Sequence, residues 1–235
     1  MRRGRYMPRM ARSIRLVALL LLLLVGAAWG AAWLRAAPGE PLGQSFARLF
    51  GAVPPPSAGG IALAGGASLG GPFTLRDHTG RTVTDADYRG SLALVFFGFT
   101  FCPDVCPTEL QTIATAMDLL GPQSTRVKPL FITVDPARDT PEKLAEYVAL
   151  FHPAITGLTG TPEQIAAVAR AYRVYYARAT PPGASEYLMD HSAFTYLMGP
   201  DGALRAVFRP GAPAEEIAAA VRANLAAGPG AANRS

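Results

Sequence analysis

A chain of 235 residues, 50% hydrophobic and 17% charged, is long enough for one sizeable domain with its own core. Its formal charge of +5 is concentrated: seven arginines lie between Arg2 and Arg35 with no acid among them, and without them the remainder carries a net −2, which excludes a nucleic-acid binder by charge. Two cysteines exclude a disulfide-built scaffold and leave one bridge, a redox couple or part of a metal site.

Residues 1–15 form a basic segment, expected in the cytoplasm. From Leu16 to Leu34 there are 19 residues without a charge, close to the length of a bilayer-spanning helix, with Trp29 and Trp33 near the far end where aromatic belts lie. The positive-inside rule then puts everything after Leu34 across the membrane. Small residues such as Gly26, Ala28 and Gly30 allow a second reading, a cleaved signal peptide, although the run exceeds the usual apolar region of one. An arginine-rich, acid-free start also resembles a mitochondrial transit peptide. Residues 35–68 contain Pro54-Pro55-Pro56, Gly59-Gly60 and Gly65-Gly66 and no sustained periodicity, which predicts a flexible linker. The folded domain is expected over 69–228, with a disordered tail over 229–235.

Within the domain, Phe73–Arg76 and Arg81–Val83 flank a His-Thr-Gly turn and predict a hairpin. The unbroken apolar run beginning at Leu92 predicts a strand buried on both faces. The sequence Cys102-Pro-Asp-Val-Cys106-Pro107 follows, and then Leu110, Ile113, Ala114, Met117 and Leu120 recur at helical spacing. Pro107 suits the first helical position, so Cys106 is placed at the N-cap and Cys102 in the loop before it. With Cys102 off the helix, the pair can close to a disulfide or open to grip a metal. The free N–H groups of the helix start are expected to favour the Cys106 thiolate.

Val127–Val134 predicts a second apolar strand. Thr140-Pro141 opens a helix to about Leu150, and the capping box Thr161-Pro-Glu-Gln164 opens another to about Tyr172. A strand over Val174–Ala179, the turn-rich Pro181-Pro-Gly, strands over Phe194–Met198 and Leu204–Phe208, and a helix over Ala214–Ala227 complete the chain. Strands alternating with helices, closed by a late hairpin, argue for an α/β sheet of thioredoxin type. Of the three histidines, His78 reads as a solvated turn residue and His152 as a cation at a helix carboxyl end. His191 follows an apolar segment and is expected to open a strand near the sheet edge.

Three motifs then coincide: Phe-Thr-x-Cys102-Pro-Asp-Val-Cys106-Pro-Thr-Glu-Leu, Val134-Asp-Pro-x-Arg-Asp-Thr-Pro141, and Asp190-His191-Ser192 with a tyrosine before it. In this order and spacing they resemble the SCO/SenC family of copper-binding proteins, from about Leu69 to Leu225. The resemblance implies a thioredoxin-like fold behind an N-terminal transmembrane helix. It implies one copper per monomer, Cu(I) or Cu(II), held by Cys102, Cys106 and His191, with Cys102 and Cys106 also forming a redox disulfide. The chemistry agrees: two soft thiolates suit Cu(I), an added imidazole suits Cu(II), and zinc accepts the same donors with lower intrinsic affinity than copper. Asp135 and Asp139 end the neighbouring strand. They read either as groups that orient a ligand or as turn-capping acids, one paired with Arg138.

The resemblance implies a copper chaperone rather than an enzyme, serving the binuclear copper centre on the copper-bearing subunit of cytochrome c oxidase. An upstream copper donor and a thiol reductant are implied as partners, and the domain is placed in the periplasm on a single-pass inner-membrane anchor, or on the mitochondrial inner membrane facing the intermembrane space. The competing readings are a thiol–disulfide reductase using the same cysteines and a copper or redox sensor. Thioredoxin-like reductases carry Cys-x-x-Cys, whereas three residues intervene here.

Overall fold

The structure is a computed structural model that describes residues 69–180 and 186–227, with isolated helical positions between Arg15 and Gly26. Among the described residues no helix is long and apolar enough to cross a membrane. The expectations for 1–15, for the 35–68 linker, for the Pro181 turn and for the 229–235 tail lie outside the described residues, and so does nearly all of the 16–34 span. The chain divides into two units, Met1–Ser57 and Ala58–Ser235, and every element that follows belongs to the second.

Nine strands and four α-helices are described: β1 Thr74–Asp77, β2 Thr82–Thr84, β3 Leu92–Gly98, α1 Val105–Leu120, β4 Val127–Thr133, α2 Pro141–Val148, β5 Thr156–Thr159, α3 Pro162–Ala171, β6 Tyr176–Ala179, β7 Leu188–His191, β8 Thr195–Met198, β9 Leu204–Phe208 and α4 Ala214–Ala227. Seven strands form one mixed sheet in the order β2-β1-β5-β4-β3-β8-β9. β3 runs parallel to β4, and β4 to β5, while β1 and β8 pair antiparallel to their neighbours. This is a mixed α/β sheet of thioredoxin type.

The physical reason for the central pair is plain in their composition. Every residue of β3 is buried, and β4 exposes only Lys128. Strands covered on both faces cannot alternate, so Val95, Phe96, Phe97, Phe131 and Ile132 form a continuous apolar layer. Fully burying each such side chain contributes roughly 1.5–3 kcal/mol. Leu110, Ile113 and Met117 of α1 and Ile217 and Val221 of α4 are buried in the same core. Thr140 and Thr161 cap α2 and α3, each accepting the N–H of the third helical residue. Thr161 and Gln164 make the reciprocal box expected from their spacing.

Several local expectations change. α1 begins at Val105 with Asp104 as N-cap, so Cys106 is the second helical residue and Pro107 the third. A proline fits there because the first helical N–H groups have no intrahelical partner. β5 was not foreseen, because four residues containing Gly157 carry almost no periodicity. His191 does not open β8 but ends β7, which pairs with β6 in a separate two-stranded sheet. His78 is a structural link: its Nδ1 accepts the Gly157 N–H at 3.0 Å, and its own N–H donates to the Gly157 carbonyl. His152 Nδ1 accepts the Ala154 N–H, so it shapes a turn, with its Nε2 3.7 Å from Asp118.

Candidate metal centre

The site is assembled where β3 ends. Gly98 is the last residue of that strand, and the chain then passes through buried Phe99, Thr100 and exposed Phe101 to Cys102. The Cys102 N–H donates back to the Phe99 carbonyl at 3.3 Å, closing a turn. Asp139 fixes this turn from the side. Its carboxylate accepts the Thr100 N–H at 3.0 Å, the Thr100 hydroxyl at 2.6 Å and the Thr133 hydroxyl at 2.5 Å. Burial pushes the Asp139 carboxyl above its ordinary range, while the threonine donors pull it the other way.

Cys106 is fully buried and Cys102 half-buried, and neither is bridged. A Cβ added to Gly98 would lie 2.8 Å from Cys106 Sγ and 2.8 Å from Phe131 Cε2. The absent side chain at 98 is therefore what admits the Cys106 sulfur between the strand and α1. A glycine inside an apolar strand pattern is a readable sign of such a close approach, and it was missed.

Cys102 Sγ accepts the Cys106 N–H at 3.5 Å. It is thus Cys102, outside the helix, that meets a free donor of the helix start, while the Cys106 side chain turns into the core. The helix start therefore does not favour the Cys106 thiolate as expected. Hydrogen bonding from Cys106 pulls the Cys102 thiol down to about 4, assisted by the backbone at Cys106 and Asp104. The Cys106 thiol is pushed up because it keeps the shared proton and is buried.

His191 comes from the far side, at the end of β7. Its Nε2 is 3.4 Å from Cys106 Sγ. Its Nδ1 is 3.2 Å from the Ser192 carbonyl, which can only accept, so Nδ1 carries the proton and Nε2 presents the lone pair. The ring stands edge-on to both Phe99 and Phe96, with centroids 5.9 and 6.3 Å away. The donor atoms of Cys102, Cys106 and His191 lie within 4.8 Å of one another. Bonds of about 2.3 Å to sulfur and 2.0 Å to nitrogen put donors on one ion roughly 3.5–4 Å apart, so small side-chain rotations suffice. Two soft sulfurs and one imidazole are a donor set for copper or zinc, with no fourth His, Cys, Asp or Glu in the cluster among the described residues.

Asp135 and Asp139 make no hydrogen bond to these three side chains among the described residues. Asp135 pairs with the Arg138 Nε and accepts the Tyr187 hydroxyl at 2.9 Å. Each acid thus grips the chain near a ligand: Asp139 at Thr100, two residues before Cys102, and Asp135 at Tyr187, four before His191. Thr100 and Tyr187 belong to the motifs that carry the resemblance, but their roles, and Thr133 itself, emerge only from the folded geometry.

Comparison with known proteins fits this site. The family model described as SCO1/SenC matches residues 62–226. The SCO2 homolog of Bos taurus mitochondria is 42% identical over 211 residues, covering 89% of this chain and 75% of that protein. SenC of Rhodobacter capsulatus is 52% identical over 134 residues, 57% of this chain and 60% of that protein. The structure of Bradyrhizobium japonicum ScoI with copper bound shares 43% identity over 67% of this chain and 99% of that one, with a TM-score of 0.63. With the cysteine loop, the Asp-Pro-x-Arg-Asp-Thr turn and the histidine hairpin all within the matched stretch, the chain belongs to the SCO1/SenC family.

Proposed function

We propose that this protein is a copper carrier: Cys102, Cys106 and His191 hold one copper ion and pass it to a client protein. The observation that carries this reading is the convergence of two sulfurs and one imidazole nitrogen within 4.8 Å, on three different segments of the chain. Copper bound in the related ScoI structure supports the choice of metal. Copper is cargo here, and the donor set suits a cargo. Two thiolates grip Cu(I), the imidazole extends the grip to Cu(II), and three protein ligands leave an open position through which a client thiolate can enter. Delivery then proceeds by ligand exchange, each client sulfur displacing one of the carrier's.

The family resemblance gives the client as the copper-bearing subunit of cytochrome c oxidase. Residues 16–34 anchor the domain to the inner membrane, and residues 35–68 give it reach. Tethering raises the effective concentration of a membrane-bound client. Oxidation of Cys102 and Cys106 to a disulfide would consume both sulfur ligands, so a thiol reductant on the same side of the membrane is required. The acidic Cys102 also favours a second reading, thiol–disulfide exchange. Its thiolate would attack a client disulfide, forming a mixed disulfide and releasing a client thiol. Cys106 would then displace the second client thiol and leave the carrier oxidised.

Cells lacking this protein test the two readings. When copper is scarce they should assemble an oxidase deficient in copper, and added copper should partly restore it. A fully copper-loaded oxidase under copper limitation would contradict delivery. Rescue by a membrane-permeant thiol reductant, without added copper, would favour the exchange reading.

A further inference from the structure

Among the described residues, β6 and β7 pair with each other and with no other strand, outside the seven-stranded sheet. A two-stranded hairpin has marginal stability on its own in water. Yet β7 ends in His191, whose imidazole must stand within a few ångströms of the cysteine pair. The hairpin meets the body through Met189, 9% exposed and part of the core, and through Tyr176 and Leu188, which pack partly buried against that core. Its polar anchor is Tyr187. Its hydroxyl donates to Asp135 Oδ1 at 2.9 Å, and its backbone carbonyl accepts Arg138 Nη1 at 2.9 Å. Its ring lies between two guanidinium groups, with Arg138 Cζ 3.7 Å and Arg178 Cζ 4.1 Å from the centroid.

The other half of this arrangement is rigid. Asp135 is 2% exposed, takes its place just past the end of β4, and its N–H donates to the Thr133 hydroxyl. Arg138 is held by Asp135 through Nε, and its guanidinium also lies 4.8 Å from the Phe101 ring. Its Nη2 is buried with no hydrogen-bond partner among the described residues, so the faces of Phe101 and Tyr187 are the contacts that offset its desolvation.

We propose that Tyr187 is a positioning residue: together with Asp135 and Arg138 it latches the β6–β7 hairpin to the end of β4 and so fixes where His191 stands. Tyr187 and His191 flank β7 about 13 Å apart at 3.3 Å per residue. Fixing the first end limits the swing of the second. The part of this inference that concerns copper rests on the carrier reading, whereas the latch itself does not.

Two measurements on the full chain test it. In the copper-free protein, amide hydrogen exchange across β6–β7, including the Ser192 N–H that donates to the Tyr175 carbonyl, reads the latch directly. Tyr187→Phe removes one hydrogen bond and should speed hairpin exchange about fivefold. Tyr187→Ala also removes the ring from between two cations and should speed it on the order of a hundredfold. Amides of β3 and β4 should keep their rates in both. Competitive titration then reads the ligand: Cu(II) affinity should fall in the same order, while Cu(I) affinity should change less than about threefold, because two thiolates hold it. Unchanged hairpin exchange overturns the latch, as does acceleration of β3 and β4 by the same factor. A Cu(II) loss no larger than the Cu(I) loss overturns the link to His191. Where Tyr187→Ala does not fold, Tyr187→Phe alone decides on the same criteria. If the unmodified chain binds no copper, the carrier reading fails and the exchange data still judge the latch.

Discussion

His191 Nε2 lies 3.4 Å from Cys106 Sγ, although 85 residues separate them in the chain. The Ser192 carbonyl accepts a hydrogen bond from Nδ1–H, so the nitrogen facing the sulfur is the one with a free lone pair. A buried thiol, an acidic half-buried thiol and a correctly oriented imidazole therefore meet on one side of the β3–α1 loop.

His191→Ala should separate the two oxidation states of copper. Loss of groups that merely orient a metal ligand typically costs 10–100-fold in affinity, and loss of the ligand itself should cost more. Cu(II) affinity should drop by about a hundredfold or more, and Cu(I) affinity by far less. Competition with a chelator of known strength in each oxidation state checks this. Equal losses for both ions would place His191 outside the site.

The acidity of Cys102 sets a pH signature. An ordinary thiol with a pKa near 8.5 becomes roughly a hundredfold more ionised between pH 6 and pH 8. Cys102, pulled down to about 4, is already a thiolate across this range. Alkylation of the reduced, copper-free chain should therefore occur first at Cys102, at a rate nearly flat from pH 6 to 8. Peptide mapping of the first adduct checks the site. A rate that climbs with an inflection near 8.5, or a first adduct on Cys106, would contradict the assignment.

Gly98→Ala should damage the site without touching a ligand. Its new methyl would sit 2.8 Å from Cys106 Sγ and from the Phe131 ring, so one of them must move. Overpacking of this kind costs about 1–3 kcal/mol of stability. Denaturant unfolding should report that loss, and copper affinity should fall with it because the Cys106 sulfur is displaced. A variant with wild-type stability would mean that the strand and α1 separate more freely than their packing implies.

Much of this fold was legible in the sequence because its signals are local. The buried run Leu92–Gly98 announced β3, and Thr161 with Gln164 announced α3. The cysteine pair was legible from its own spacing as a disulfide or metal pair, but His191 joined it only through resemblance, since nothing local to Asp190-His191-Ser192 says that it meets Cys102. What could not be read depends on distant contacts. The four residues of β5 acquire their meaning from pairing with β4, and β7 from pairing with β6. The expectation of a favoured Cys106 thiolate differs from the structure for a similar reason. The difference turns on α1 starting at Val105 rather than Pro107, a shift that a proline tolerates anywhere in the first turn.

Glu109 offers a test of the surrounding scaffold. It is 3% exposed, and its carboxylate accepts the Gly211 N–H at 2.6 Å, joining α1 to the turn before α4. Burial pushes its carboxyl up, against the pull of that hydrogen bond. The unfolded chain releases this proton at lower pH than the folded one, so the group lowers stability as pH rises through the two values. Glu109→Gln keeps an oxygen for Gly211 and removes the titration. The variant should match the wild type near pH 4 and melt a few degrees higher at pH 7.5. Thermal unfolding at both pH values checks the sign, and a lower melting temperature at pH 7.5 would refute it.

Copper titration of the reduced, purified chain bears on the central claim most directly. One copper per chain should bind tightly, and the double variant Cys102→Ser, Cys106→Ser should lose that binding, because hard hydroxyls replace soft thiolates. The wild type oxidised to its disulfide should behave like the double variant. If the double variant retains wild-type copper affinity, the ion is held elsewhere and the carrier site is wrong.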